Sequence, residues 1–270
     1  MWRREAREAR ESMAVWSVCR TTTLGLVCGA LLTVVGASVQ ADWRTASREP
    51  VGLAPDPATT PEAVVQVYGA RALRWRGYFG VHTWIAVKPA AAPAYTVYEV
   101  IGWRLRWSDT ALAVHQRAPD GRWFGNEPEL LAERRGENVD APIDRIARAT
   151  REYPYAREYR LWPGPNSNTF TAWIARAVPE LGLDLPPTAI GKDFVGGRVL
   201  GRAPSGSGVQ LSLYGLLGLL ASDVEGLEVN VLGLTFGVNP FSPSLKLPIV
   251  GRLGVPRPNG VGRPAAAADP

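Results

Sequence analysis

The chain has 270 residues, 46% hydrophobic and 20% charged, enough apolar material for one packed domain once a targeting segment and a tail are set aside. Its formal charge of +5 invites a nucleic-acid reading, but Arg3, Arg4, Arg7, Arg10 and Arg20 supply part of that charge ahead of an apolar segment. No later basic run has the density of a backbone-binding groove, so nucleic acid is not expected as a partner.

Cysteine and histidine use narrows the chemistry further. Cys19 and Cys28 lie in or beside the apolar segment, and His82 and His115 are the only imidazoles. A disulfide framework, a cysteine nucleophile and a cysteine-ligated or multi-histidine metal site are thereby excluded from the main domain. No cofactor is expected.

From Thr21 to Ala41 the chain carries no charge and follows an arginine-rich stretch, the layout of a signal peptide or of an uncleaved inner-membrane anchor. Val39-Gln40-Ala41 before Asp42 fits a signal-peptidase site and favours cleavage, and Met13 offers an alternative start with Arg20 as the charged head. Residues 1–41 are thus read as signal peptide or anchor. The remainder is expected to be exported, either free in the periplasm or anchored with its main domain outside the cytoplasm. Residues 42–61, rich in proline, alanine and threonine, read as an extended linker.

A single globular domain is expected over 62–253. AVVQVYGAR reads as a buried strand, and YFGVHTWIAVKP alternates as a second one. Alternation puts His82, Trp84, Ala86 and Lys88 on one face and Val81, Thr83, Ile85 and Val87 on the other. AYTVYEVIGWRLRW returns as a third strand of an antiparallel meander. His115, near the Asp120-Gly121 turn, is expected to be exposed. PELLAERRGE and residues 141–152 have helical spacing, with Ile143, Ile146 and Ala147 as a buried stripe. EYRLW reads as a short strand entering a Pro-Gly-Pro turn. A helix follows with Asn166, Ser167 or Asn168 as N-cap and Phe170, Trp173, Ile174 and Ala177 as its apolar face. Beyond Pro186 the glycine-rich apolar sequence predicts strands and turns, not a membrane span, and residues 254–270 read as a disordered tail. The expected class is α+β, an antiparallel sheet with packed helices.

The strings VVQVYGAR, WRGYFGVHTWIAVK, YEVIGWR, YPY, WPGPNSNTF, LPPTAIGKDF and EGLEVNVLGLTFG, with KLP and GRLG behind them, resemble a bacterial family known as domain of unknown function 3750, over roughly residues 43 to 254. The family name implies no activity. More distantly, Asn166-Ser167-Asn168-Thr169-Phe170 leading into a helix resembles the Asn-Cys-x-x-Phe motif of permuted papain-like enzymes of the NlpC and lecithin:retinol acyltransferase type. In that order a histidine on an early strand precedes the nucleophile, as His82 precedes Ser167. Serine stands here for the cysteine, and serine requires an efficient base and oxyanion stabilisation.

This resemblance implies an amidase or acyltransferase with Ser167 as nucleophile, His82 as base, Glu99 orienting the ring, Asn166 or Asn168 donating to the oxyanion, and Trp84 and Lys88 lining the pocket. The substrates would be amides or esters of the envelope, so a cell-envelope polymer or lipid is the expected partner, with the membrane itself a partner through an uncleaved leader. The competing structural account takes Asn-Ser-Asn as ordinary helix caps and His82 as a core residue. The competing function is non-catalytic binding or scaffolding, with Trp75, Tyr78, Trp84, Trp103, Trp107 and Trp123 stacking on envelope glycan. Gly191-Lys192-Asp193 and Ser205-Gly206-Ser207-Gly208 lack the spacing of a phosphate loop.

Overall fold

The computed structural model describes residues 43–255; the expectations for the leader, the Met13 start and the tail from residue 256 onward lie outside them. Two antiparallel sheets dominate. In the first, β1 (Val64–Arg71) pairs with β2 (Val81–Lys88), from Val64 opposite Lys88 to Arg71 opposite Val81. A one-turn helix α1 (Arg76–Phe79) lies between them. β3 (Thr96–Val100) and β4 (Leu112–Gln116) extend the meander, and β5 (Glu129–Arg135) closes the other edge, giving the order β4-β3-β2-β1-β5.

The first three strands form where alternation and β-branched content predict them. The third stops at Val100, earlier than expected, because Gly102–Arg106 turns as a 3₁₀ helix. Gly102 packs so closely on the Tyr159 ring that a Cβ there would lie 2.3 Å from its Cδ1. PELLAERRGE is a correction of kind: its central residues form β5, not a helix. A short apolar run is ambiguous in period, and pairing to β1, which would otherwise be an open edge, decides the matter.

α2 (Asp140–Arg151) and α3 (Ser167–Ala177) cover one face of this sheet. Val65, Val67, Ile85 and Val87 pack there against Ile143, Ile146, Phe170 and Ile174. Ala147 and Ala177 fall off the buried faces, where Ala149 and Ala175 stand instead. The other face buries Val64, Tyr68, Trp84 and Ala86 against Tyr95, Val97, Trp123 and Phe124. EYRLW forms no strand. The prolines beyond it offer no N–H groups to a ladder, and Trp162 is held by its indole N–H donating to Leu232 O at 2.9 Å.

Residues 43–61 have no regular helix or strand, yet they are docked. Leu53 N donates to Asp120 Oδ2 at 2.6 Å, and Tyr95 OH donates to Pro55 O at 3.1 Å. The expected linker is therefore part of the packed body.

The second sheet is a seven-stranded meander: β6 (Leu200–Arg202), β7 (Val209–Leu213), β8 (Leu217–Ser222), β9 (Gly226–Val231), β10 (Leu234–Asn239), β11 (Ser244–Leu247) and β12 (Gly251–Gly254). Its polarity is inverted. Gln210, Ser212, Glu228, Asn230, Thr235 and Lys246 point inward and are buried. Outward, the register aligns Val209, Ala221, Leu227, Val238, Leu245 and Leu253 in one transverse row and Leu211, Leu219, Val229 and Phe236 in the next. The class is α+β, mostly sheet. No helix among the described residues is long and apolar enough to cross a membrane.

Candidate functional site

β2 and β3 place His82 and Glu99 on the same face of the first sheet. His82 Nε2 lies 2.9 Å from Glu99 Oε2, and both residues are buried. The imidazole is clamped flat on Trp123, ring centroids 3.6 Å apart and planes 11° off parallel. With Nε2–H donating to the carboxylate, Nδ1 carries the free lone pair.

The second carboxylate oxygen is also engaged. Glu99 Oε1 accepts from His115 Nε2 at 2.8 Å and from Arg117 Nη2 at 3.1 Å. Burial alone would raise the Glu99 pKa; the hydrogen bonds from both imidazoles and the Arg117 charge overcome it and hold the carboxyl well below the usual carboxylate range. At neutral pH Glu99 is therefore held as an anion between two imidazoles and a guanidinium.

Ser167 opens α3. Asn166 is the N-cap, its Oδ1 accepting from Asn168 N at 3.0 Å and Thr169 N at 3.2 Å, and Asn166 N donates back to Thr169 Oγ1. This reciprocal box uses the backbone donors around the helix start. Ser167 is the exception: neither its N–H nor its hydroxyl has a hydrogen-bond partner among the described residues.

The helix start meets the first residue of β2, with Asn168 Nδ2 donating to Val81 O at 3.1 Å. The β2 side chain facing the start of α3 is Thr83, whose hydroxyl reaches Asn168 Oδ1 at 3.0 Å and Thr171 Oγ1 at 2.9 Å. His82, one residue earlier, leaves the strand from the opposite face. Hydroxyl and imidazole thus stand at one end of β2 with no hydrogen bond between them.

A family model described as a protein of unknown function (DUF3750) matches residues 62–194. The chain is a member of this family. The DUF3750 match runs from just before β1 to Phe194, so it includes His82, Glu99, His115, Arg117 and Ser167 and stops short of the seven-stranded sheet. No curated protein and no solved structure matches the chain.

Within the DUF3750 region four expected assignments are corrected. Trp84 does not line a pocket; it is fully buried and donates from Nε1 to Pro119 O at 2.7 Å. Lys88 is also fully buried, its ammonium on Glu62 O at 2.7 Å. The amide groups of Asn166 and Asn168 are both occupied, the former by Leu161 O and Ile190 O and the latter by Val81 O and Ile190 O. Neither has an N–H left for an oxyanion. The structure adds Arg117, which the sequence reading passed over, and brings His115, expected to be exposed and found so, onto Glu99. The signal was alternation along LAVHQR, which puts Ala113 and His115 opposite Glu99 and Val97 on a neighbouring strand.

Among the described residues no group of three or more His, Cys, Asp or Glu is arranged to hold a metal ion. Lys192, from the discounted Gly191-Lys192-Asp193 string, is buried against Glu228.

Proposed function

We propose that the chain is an exported domain acting on amides or esters of the cell envelope, with Ser167 as nucleophile, His82 as general base and Glu99 as the residue that positions the ring. The observation that carries this reading is the buried 2.9 Å contact of Glu99 Oε2 with His82 Nε2, which fixes the imidazole and leaves Nδ1 to take a proton. Ser167 supports it by bringing a free hydroxyl and a free N–H to a helix start, where the dipole favours a developing anion.

In the step proposed, Oγ forms a bond to the substrate carbonyl carbon as its proton passes to Nδ1. The tetrahedral oxyanion faces the Ser167 N–H, and the C–N or C–O bond then breaks as the ring proton moves to the leaving amine or alcohol. Water repeats the sequence to release the acid and restore the hydroxyl. Thr83 holds the direct line to α3 and His82 leaves the opposite face of β2, so the proton transfer proposed runs around Val81 through one bridging water.

A fluorophosphonate probe applied to the full chain tests this. Wild type is expected to be labelled, Ser167→Ala to remain unlabelled, and His82→Gln to react at least about 100-fold more slowly. Wild type that resists the probe, or Ser167→Ala that reacts equally, overturns it. The second reading, glycan binding without reaction, then gains from Trp103, which is 40% exposed and stacks on Trp123 beside His115 and Arg117.

A further inference from the structure

The hairpins of the seven-stranded sheet turn at two ends of unlike character. At one end the β8–β9 and β10–β11 connections carry Asp223, the buried Glu225 and Ser242, with Phe241 as an exposed apolar exception. At the other end the turns present Tyr214, Leu232, Ile249 and Val250 to solvent, Tyr214 61% and Leu232 57% exposed.

Three of these apolar tips also have left-handed backbone: φ is 52° at Tyr214, 54° at Leu232 and 67° at Ile249. Asn, Asp or Gly takes that conformation at less steric cost, and a β-branched residue there is an outlier. Solvent exposure and local conformation both disfavour large apolar residues at these positions, so the side chains themselves are what the tips supply.

The surroundings specify a partner. Trp162 donates to Leu232 O, and Arg71 Nη2 reaches Ile249 O at 3.3 Å, which ties this end to α1 and its exposed Trp75 and Phe79. Arg74, Arg76 and Arg160 are exposed beside those tryptophans. Segments 71–80, 160–163, 213–217, 231–234 and 247–252 contain no carboxylate. Behind the tips the outward rows of the sheet continue the apolar surface from β7 to β10 with no carboxylate, and Arg202 of β6 ends the row of Val209.

Aliphatic tips, a tryptophan rim and unopposed arginines form the pattern of a surface resting at a membrane–water interface, where indoles sit at headgroup depth and arginines meet anionic phosphate. A second copy stacked on the sheet face would cover the rows but leave the tips and the tryptophan rim in water. A bilayer covers both.

We propose that this turn end, with the apolar sheet face behind it, docks on an anionic lipid bilayer. The proposal does not depend on the chemistry proposed for Ser167 and His82.

The test is co-sedimentation of the full chain with phosphatidylcholine vesicles, with and without phosphatidylglycerol, so that any contribution from residues 1–42 is common to every variant. Wild type is expected to bind anionic vesicles, and Tyr214→Glu/Leu232→Glu to lose at least tenfold in partitioning. Arg74→Gln/Arg76→Gln is expected to weaken binding to the anionic vesicles alone. Because all four side chains are exposed, near-ultraviolet circular dichroism should be unchanged. Equal sedimentation of the glutamate variant and wild type overturns the proposal. So does a wild-type dimer in lipid-free buffer that Leu219→Lys converts to monomer while vesicle binding stays the same.

Discussion

Glu99 makes three charge-assisted or imidazole contacts from a site that is 1% exposed. Replacing it with glutamine keeps the shape and removes the charge, so Glu99→Gln is expected to cost about 2 kcal/mol at pH 7, the scale of hydrogen bonds to a charged group. The sign with pH follows from the depressed folded pKa. An unfolded glutamate titrates near about 4.3, so the stabilisation is fully present above that value and is lost as pH falls through the lower folded value. Urea midpoints of the two proteins should therefore differ by a constant amount from neutrality down to about pH 5 and converge only in stronger acid. Identical midpoints at pH 7 would show that the anion is dispensable. At this scale the pairing of His82 with Glu99 was legible, because alternation along two strands of a meander puts them on one face. His115 and Arg117 were not, since LAVHQR sits beside a turn signal and its five-residue strand exists only through pairing with β3.

The start of α3 shows how one residue can set an element. Asn166 accepts from two backbone N–H groups and donates to Leu161 O and Ile190 O. Gly191, at φ +96°, brings the following turn so close that a Cβ would lie 2.4 Å from Asn166 Nδ2. Asn166→Ala loses both functions and is expected to destabilise by about 2–3 kcal/mol, whereas Asn166→Asp keeps the acceptor and should recover roughly half. Thermal or urea unfolding of the two variants separates cap from tether, and equal losses would refute the division. The sequence marked a cap somewhere in Asn-Ser-Asn but could not choose, because all three are good caps in isolation. The choice comes from Leu161 O, five residues earlier, and Ile190 O, twenty-four residues later, which together take both amide protons of Asn166. PELLAERRGE failed for the related reason that an edge strand is defined by its neighbour rather than by its own propensity.

On the scale of the molecule, the glycine-rich second half was readable as strands and turns, but which way its alternating residues faced was not. Period two is symmetric, and the usual assignment of apolar residues inward is reversed here. What selects the inward face is a buried ionic layer. Lys246 Nζ lies 2.6 Å from Glu228 Oε1 and 2.5 Å from Asp184 Oδ1, Lys192 pairs with Glu228 Oε2, and Arg252 Nη1 closes on Asp184 Oδ2 at 2.9 Å. Burial opposes the charge on Glu228, yet the two lysines keep its pKa low; on Lys192 burial is likewise outweighed, by Asp193 and Glu228. Because Asp184 and Lys192 belong to the segment after α3 while Glu228 and Lys246 belong to β9 and β11, the layer fastens the second sheet to the rest of the body. Removing one charge strands its partners in low dielectric, which costs more than the pair contributes when intact. Glu228→Gln is therefore expected to lose about 3–5 kcal/mol, a large part of a typical domain's stability. In urea the second sheet should separate first, seen as protease cleavage within residues 200–254 before the tryptophan fluorescence of the first sheet changes. A loss below about 1 kcal/mol, the usual value of a solvent-exposed pair, would mean that water reaches the layer and that something else turns the polar face inward.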